Sequence, residues 1–288
     1  MEVSLLEPFG FCGGVLRALS LIKRAKEEHP SETIYLIGAL VHNEKVLENL
    51  KNDGFVVLDG SIKEMEERLR NLPLRSVICF CAHGHPSSYL DIAKSRSCFV
   101  YDATCPFVSE NEKKVREALF RNEKVFFIGK KGHAEAEAIR SIDPENVLIL
   151  SKMEDIPSAL EGTIHVFSQT TMSLDEVAFF EEAIRKRYKD VHFEKTRCLD
   201  ATRRQASLEE KRDFDAIVIL GSKTSNNSQK LLRVAKELYP NIPSFLSLSL
   251  EDVKKLPIAK KKKILLGSGA SSSKEEVLAV KNYLESLS

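Results

Sequence analysis

The 288-residue chain carries 43 Lys and Arg against 42 Asp and Glu, and 43% of it is hydrophobic. A net charge of +1 argues against a basic nucleic-acid platform or a polybasic membrane surface, while the length supports two or three compact domains. No apolar run follows a basic start, so neither an export signal nor a membrane span is expected. Six cysteines are too few for a disulfide framework in a chain this long.

Taken in order, "EVSLL" predicts a strand, and Cys12 follows it in "GFCGGV" at the start of a helical pattern carried by Val15, Leu16, Leu19 and Ile22. "TIYLI" predicts the next strand, whose loop "LVHN" carries His42. "SVICF" predicts another, followed by "CAHGHP" with His83; Cys79 and Cys81 alternate there and are expected in a core, and Cys98 is read the same way. "CFVYDA" then leads to Cys105, and Val108, Val115 and Leu119 mark the helix after it. "KVFFIG" runs into "GHAEAE" with His133 and Glu135, and "TIHVFS" into "QTT" with Thr170. "VHFEK" precedes Cys198 in "RCLDATRRQ". "AIVILG" ends in "SKTSNNS" with Ser225, Asn226 and Asn227, and "KKILLGSGAS" ends at Ser271 before a last helical pattern.

The order repeats. Each of Cys12, Cys105 and Cys198 stands 93 residues from the next, each after a strand and before a helix. Strand–helix alternation predicts an α/β fold of three similar small lobes in pseudo-threefold arrangement, each built on a short, mainly parallel sheet. The expected lobes are 13–104, 105–197 and 198–288, the last completed by 1–12. Polar loops beyond the carboxyl ends of the strands are where such sheets bind ligands, and converging loops would gather the three cysteines at one centre.

Three cysteines without a close CxxC pair or a ferredoxin-like run leave either zinc or an iron–sulfur cluster, with one coordination position open. A cysteine at a helix start is suited to a thiolate, because unpaired first-turn N–H groups stabilise negative charge. The imidazoles, hydroxyls, amides and glycine-linked backbone of the loops suit an oxyanion. With no Walker motif and no GxGxxG, a phosphorylated small metabolite fits better than ATP or NAD. Glu135, two residues after His133, can donate a proton if enclosure raises its pKa. A non-catalytic redox sensor or cluster carrier would need neither Glu135 nor the anion loops; a zinc hydrolase would gain nothing obvious from the threefold plan.

Taken together, "GFCGGV", "LVHN", "AHG", "DATCP", "GHAEAE", "QTT", "RCLDATRRQ", "GSKTSNNS" and "GAS" resemble the 4-hydroxy-3-methylbut-2-enyl diphosphate reductase family over essentially the whole chain. The resemblance implies a three-lobed α/β protein around one central [4Fe–4S] cluster per chain. Cys12, Cys105 and Cys198 match the cluster ligands, and His42, His83, His133, Ser225, Asn226, Asn227 and Ser271 match positions around the substrate diphosphate. Glu135 and Thr170 match the groups beside the allylic hydroxyl. The implied reaction consumes two electrons and two protons, releases the hydroxyl as water, and yields isopentenyl and dimethylallyl diphosphates. Ferredoxin or flavodoxin is the implied donor, with neither nucleic acid nor membrane insertion, in a bacterial cytoplasm or a plastid stroma. Phe9, Ala134, Asp200 and Ser273 depart from the usual motifs, as does Asn226 in a place where serine is frequent. They point to a divergent branch, including one that reduces a related allylic diphosphate.

Overall fold

The computed structural model describes residues 1–38, 41, 43–196, 198–210 and 213–287. Among these, the strands in chain order are β1 (Glu2–Leu5), β2 (Ile34–Ile37), β3 (Val56–Leu58), β4 (Val77–Phe80), β5 (Phe99–Asp102) and β6 (Lys124–Ile128). They continue with β7 (Val147–Leu150), β8 (Ile164–Ser168), β9 (Val191–Phe193), β10 (Ala216–Leu220), β11 (Ser244–Ser247) and β12 (Lys263–Ser268).

They form three four-stranded sheets, β5-β4-β2-β3, β9-β8-β6-β7 and β1-β12-β10-β11, in which every pairing is parallel. The fold is therefore α/β with three parallel-sheet lobes. One order serves all three: the strand leading to a cysteine lies at one edge, and the two central strands come next. β1 takes in the last sheet the place that β5 and β9 take in theirs, pairing Glu2–Leu5 with Lys263–Leu266.

The central strands read as unbroken apolar runs because helices cover both of their faces. β4, β8 and β10 are buried at every position. In β10 the pleat sends Ala216, Val218 and Leu220 to Val277, Val280 and Leu284 of the Lys274–Ser286 helix. Ile217 and Ile219 point to the opposite face, toward Leu231 and Ala235 of the Asn226–Leu238 helix. β6 divides likewise, with Val125 and Phe127 against the Pro106–Phe120 helix and Phe126 and Ile128 against the Leu174–Arg187 helix.

By contacts, the chain groups into two compact units. One is Met1–Leu16, Val41–Glu48 and Cys198–Ser288, which holds the sheet of β1; the other is Arg17–Leu40 and Asn49–Arg197, which holds the other two sheets. No helix among the described residues is long and apolar enough to cross a membrane. Two sequence expectations need correction. β3, β7 and β11 were not foreseen, being edge strands of three or four residues. Cys98 is not a buried strand residue: it precedes β5, an exposed edge, and packs half-buried at the rim of its core.

Candidate active site

All three repeated cysteines stand at helix N-caps. The carbonyls of Cys12, Cys105 and Cys198 each accept the first intrahelical bond, from the N–H groups of Leu16, Ser109 and Thr202, at 3.0 Å in every case. The following helices are Gly13–Glu28, Pro106–Phe120 and Leu199–Ala206. Pro106 begins its helix where no partner is needed for a backbone N–H. These thiols are unbridged and half-buried. Cys79 and Cys81 are different: both are buried, and loss of solvent pushes their thiols up to about 12 and about 11. Chemistry thus divides the cysteines into three at helix starts fit to ligate and three, Cys79, Cys81 and Cys98, that pack in or against a core. A soft sulfur donor at the positive end of a helix has the chemistry of an iron–sulfur ligand. Among the described residues, no three His, Cys, Asp or Glu side chains gather in a geometry for a single metal ion.

Glu135 occupies the first turn of the Ala134–Arg140 helix and is 2% exposed. Thr170, in the loop after β8, donates its N–H to Oε1 and its hydroxyl to Oε2, both at 2.9 Å. Burial raises the Glu135 carboxyl to about 7, with help from the charge of Glu112 and against the bonds from Thr170 and Asn111. The group therefore exchanges its proton near neutral pH. His133 caps the same helix: its Nδ1 accepts the Glu135 N–H at 3.2 Å, which leaves the proton of a neutral ring on Nε2. The His83 ring stands edge-on to it, centroids 5.8 Å apart. Gly84 lets the His83 loop approach, since it lies at φ +85° and a Cβ there would meet the Glu112 carboxylate and Val108.

A raised acid has a signature in stability. The folded state holds the Glu135 proton more tightly than the unfolded chain, so this contribution is full below about pH 4.5 and lost as pH rises through about 7. At about 1.4 kcal/mol per pKa unit, the buried carboxylate costs about 3 kcal/mol above that range. Glu135→Gln is neutral throughout. Urea unfolding should show the variant gaining on the wild type by about that amount between about pH 5 and about pH 8. A difference that stays constant with pH contradicts a raised acid.

A polar cradle forms at the ends of β10 and β12. Ser225 caps the Asn226–Leu238 helix by accepting the Ser228 N–H at 3.3 Å, and Asn226 and Asn227 open that helix. The amide nitrogen and oxygen of Asn227 are both buried without a protein partner among the described residues. Gly221 and Gly269 close around Ser228, where a Cβ on either would collide with its hydroxyl. Ser271 is buried, and its carbonyl accepts the Asn43 amide at 2.7 Å. His42 lies outside the described residues.

Phe9, Ala134, Asp200 and Ser273, four of the departures from the usual motifs, each take a local place in the fold. Phe9 packs on the core of the β1 sheet, Ala134 begins its helix after the His133 cap, and Ser273 caps the last helix by accepting the Glu276 N–H at 3.1 Å. Asp200 pairs with Arg204, Oδ2 to Nε at 2.6 Å. Asn111 was missed in the sequence, although a signal existed: it interrupts the apolar stripe of Val108 and Val115 with a polar side chain. It is 2% exposed and bonds toward Glu135.

Parallel three-sheet architecture, thiols at three helix starts and an enclosed carboxylic acid with a raised pKa give the frame of an α/β enzyme. Residues 3–285 match the LytB protein family. A curated relative from Symbiobacterium thermophilum, named 4-hydroxy-3-methylbut-2-enyl diphosphate reductase, is 31% identical over 99% of this chain and 97% of its own length. A relative of the same name from Brevibacillus brevis is 32% identical over 99% of this chain and 92% of its own. Among solved structures, the E-1-hydroxy-2-methyl-but-2-enyl-4-diphosphate reductase of Plasmodium falciparum superposes with a TM-score of 0.88 at 24% identity, covering 98% of this chain and 87% of that one. That likeness is one of fold. The chain belongs to the LytB family, and it is an enzyme of the reductase class.

Proposed function

We propose that the chain reduces (E)-4-hydroxy-3-methylbut-2-enyl diphosphate, with two electrons and two protons, to isopentenyl and dimethylallyl diphosphates and water. The observation that carries this reading is Glu135, enclosed, bonded to Thr170 and held to about 7. A redox carrier has no use for such an acid. In this reading Cys12, Cys105 and Cys198, which stand at the junctions of the lobes 13–104, 105–197 and 198–288 with 1–12, are the ligands of a [4Fe–4S] cluster. When bound, the cluster supplies electrons and an open coordination position for the substrate hydroxyl. Ferredoxin or flavodoxin is the proposed electron donor.

The remaining work falls to side chains of this chain. Glu135 holds a proton at its carboxyl, and the Thr170 hydroxyl passes it to the departing oxygen. The second proton goes to one end of the allyl unit, and which end receives it decides the product. His42, His83, His133, Ser225, Asn226, Asn227 and Ser271 hold the diphosphate, which fixes the allylic end for reaction. The unpartnered Asn227 amide supports this role, because a buried polar group without a protein partner calls for a ligand.

Asn227→Ala tests the cradle. Losing one bond to a charged ligand should weaken capture of the diphosphate by about 1.5–3 kcal/mol while cluster content stays at the wild-type level. Titration of the allylic diphosphate against variant and wild type measures this. Equal affinities would remove Asn227 from the cradle.

A further inference from the structure

The three helices that start at the cysteines share a second feature. Each sends one side chain to a backbone carbonyl just before the next cysteine in the cycle. Arg17, on the Cys12 helix, donates Nη1 to the Thr104 carbonyl at 2.9 Å and Nη2 to the Asp102 carbonyl at 3.4 Å, directly ahead of Cys105. Asn111, on the Cys105 helix, donates to the carbonyls of Thr196 and Ser168, both at 3.4 Å, and Thr196 lies two residues before Cys198. Arg204, on the Cys198 helix, donates Nη2 to the Gly10 carbonyl at 2.8 Å and Nη1 to the Pro8 carbonyl at 3.0 Å, ahead of Cys12.

Arg204 is the strongest of the three. It is 2% exposed and uses its whole planar fork. Nε and Nη2 grip both oxygens of Asp200, while Nη1 also reaches the Ser268 carbonyl at the end of β12, at 3.0 Å. The Ser268 hydroxyl in turn accepts the Gly10 N–H at 3.0 Å. Gly10 sits at φ +82°, and a Cβ there would press on Lys274, so the loop before Cys12 has little room to shift. A lysine at position 204 would offer one point charge where the site uses a fork.

We propose that Arg17, Asn111 and Arg204 are positioning residues for the thiols: each ties the helix that follows one cysteine to the backbone that leads to the next, so that the segment delivering each thiol is held in place. This rests on the reading that Cys12, Cys105 and Cys198 share one cluster. Arg17 and Arg204 reach backbone carbonyls and the Asp200 carboxylate, while Asn111 also bonds to the Glu135 carboxyl besides its two carbonyls. Outer partners of this kind typically govern how firmly a bound metal group is retained.

The test uses anaerobically reconstituted protein with Arg17→Met, Arg204→Met and Asp200→Asn, the last loosening the Arg204 fork without emptying its site. Iron release to a chelator, the electron paramagnetic resonance spectrum of the reduced protein and the unfolding midpoint are measured for each. Arg17 lies on an exposed face, so its variant should unfold like the wild type yet release iron about tenfold faster with an altered spectrum. Asp200→Asn should change in the same direction by less, and a poorly folding Arg204→Met leaves those two variants to decide. Wild-type release rates and spectra in Arg17→Met and Asp200→Asn overturn the proposal, as does a fall in unfolding midpoint with an unchanged spectrum. If the wild-type protein itself takes up no cluster, the reading beneath the proposal fails first, and the proposal fails with it.

Discussion

Glu135→Gln retains its cluster and binds the allylic diphosphate, yet turns it over roughly 10²–10⁴-fold more slowly than the wild type. Glutamine keeps the size of the side chain and an acceptor for the Thr170 N–H, whose bond to Oε1 is 2.9 Å in the wild type. What disappears is the proton. A carboxyl held to about 7 by burial is protonated in a large fraction of molecules at neutral pH and still acidic enough to give the proton up. The amide can do neither. Single-turnover reduction with a chemical reductant is the suitable measurement, because it bypasses docking of any protein donor. Equal rates in variant and wild type would assign the proton to another group. An effect confined to KM would make Glu135 a binding residue.

Cys105→Ser has the other large effect: loss of cluster iron and with it all activity, in a protein that remains folded. The site is an N-cap, and serine caps a helix at least as well as cysteine, so no loss of stability is expected from the substitution. A hydroxyl is a far poorer ligand for iron–sulfur chemistry than a thiolate. Cys12→Ser and Cys198→Ser should behave alike. Cys79→Ala supplies the contrast: its thiol is wholly buried in β4 and kept protonated, so the variant should lose some packing stability and no iron. Bound iron and visible absorption after anaerobic reconstitution measure all four. Full iron content in any serine variant removes that cysteine from the ligand set.

The central strands and the residues at their ends were legible because two periodicities coincide there. Runs such as "AIVIL" are apolar throughout, as strands covered on both faces must be, and a small polar loop then interrupts them. Repetition of that unit identified the three-sheet plan where any single unit would have been ambiguous. The outer strands β3, β7 and β11 carry no comparable signal, since three or four residues at an edge need neither continuous burial nor long alternation. Cys98 misled because it adjoins an apolar run whose strand turned out to be an exposed edge.

The candidate site was legible in its chemistry and not in its supports. Cys12, Cys105, Cys198 and Glu135 could be singled out as candidates from motif and spacing, and Thr170 only through the family resemblance. The burial and the Glu112 charge that raise Glu135, and the Thr170 and Asn111 bonds that oppose them, come from segments far from Glu135 in sequence. Arg204 adjoins Arg203, and nothing in the sequence sets one apart from the other. Only the fold reveals that one of the two is buried and spans Asp200, Pro8, Gly10 and Ser268.

The most direct test of the whole account is product analysis after one turnover. Wild-type protein is reconstituted anaerobically with iron and sulfide, reduced chemically, and given (E)-4-hydroxy-3-methylbut-2-enyl diphosphate in less than stoichiometric amount. The account predicts that the substrate disappears and that isopentenyl and dimethylallyl diphosphates together replace it. Substrate recovered unchanged from protein carrying a full, reduced cluster would contradict the account.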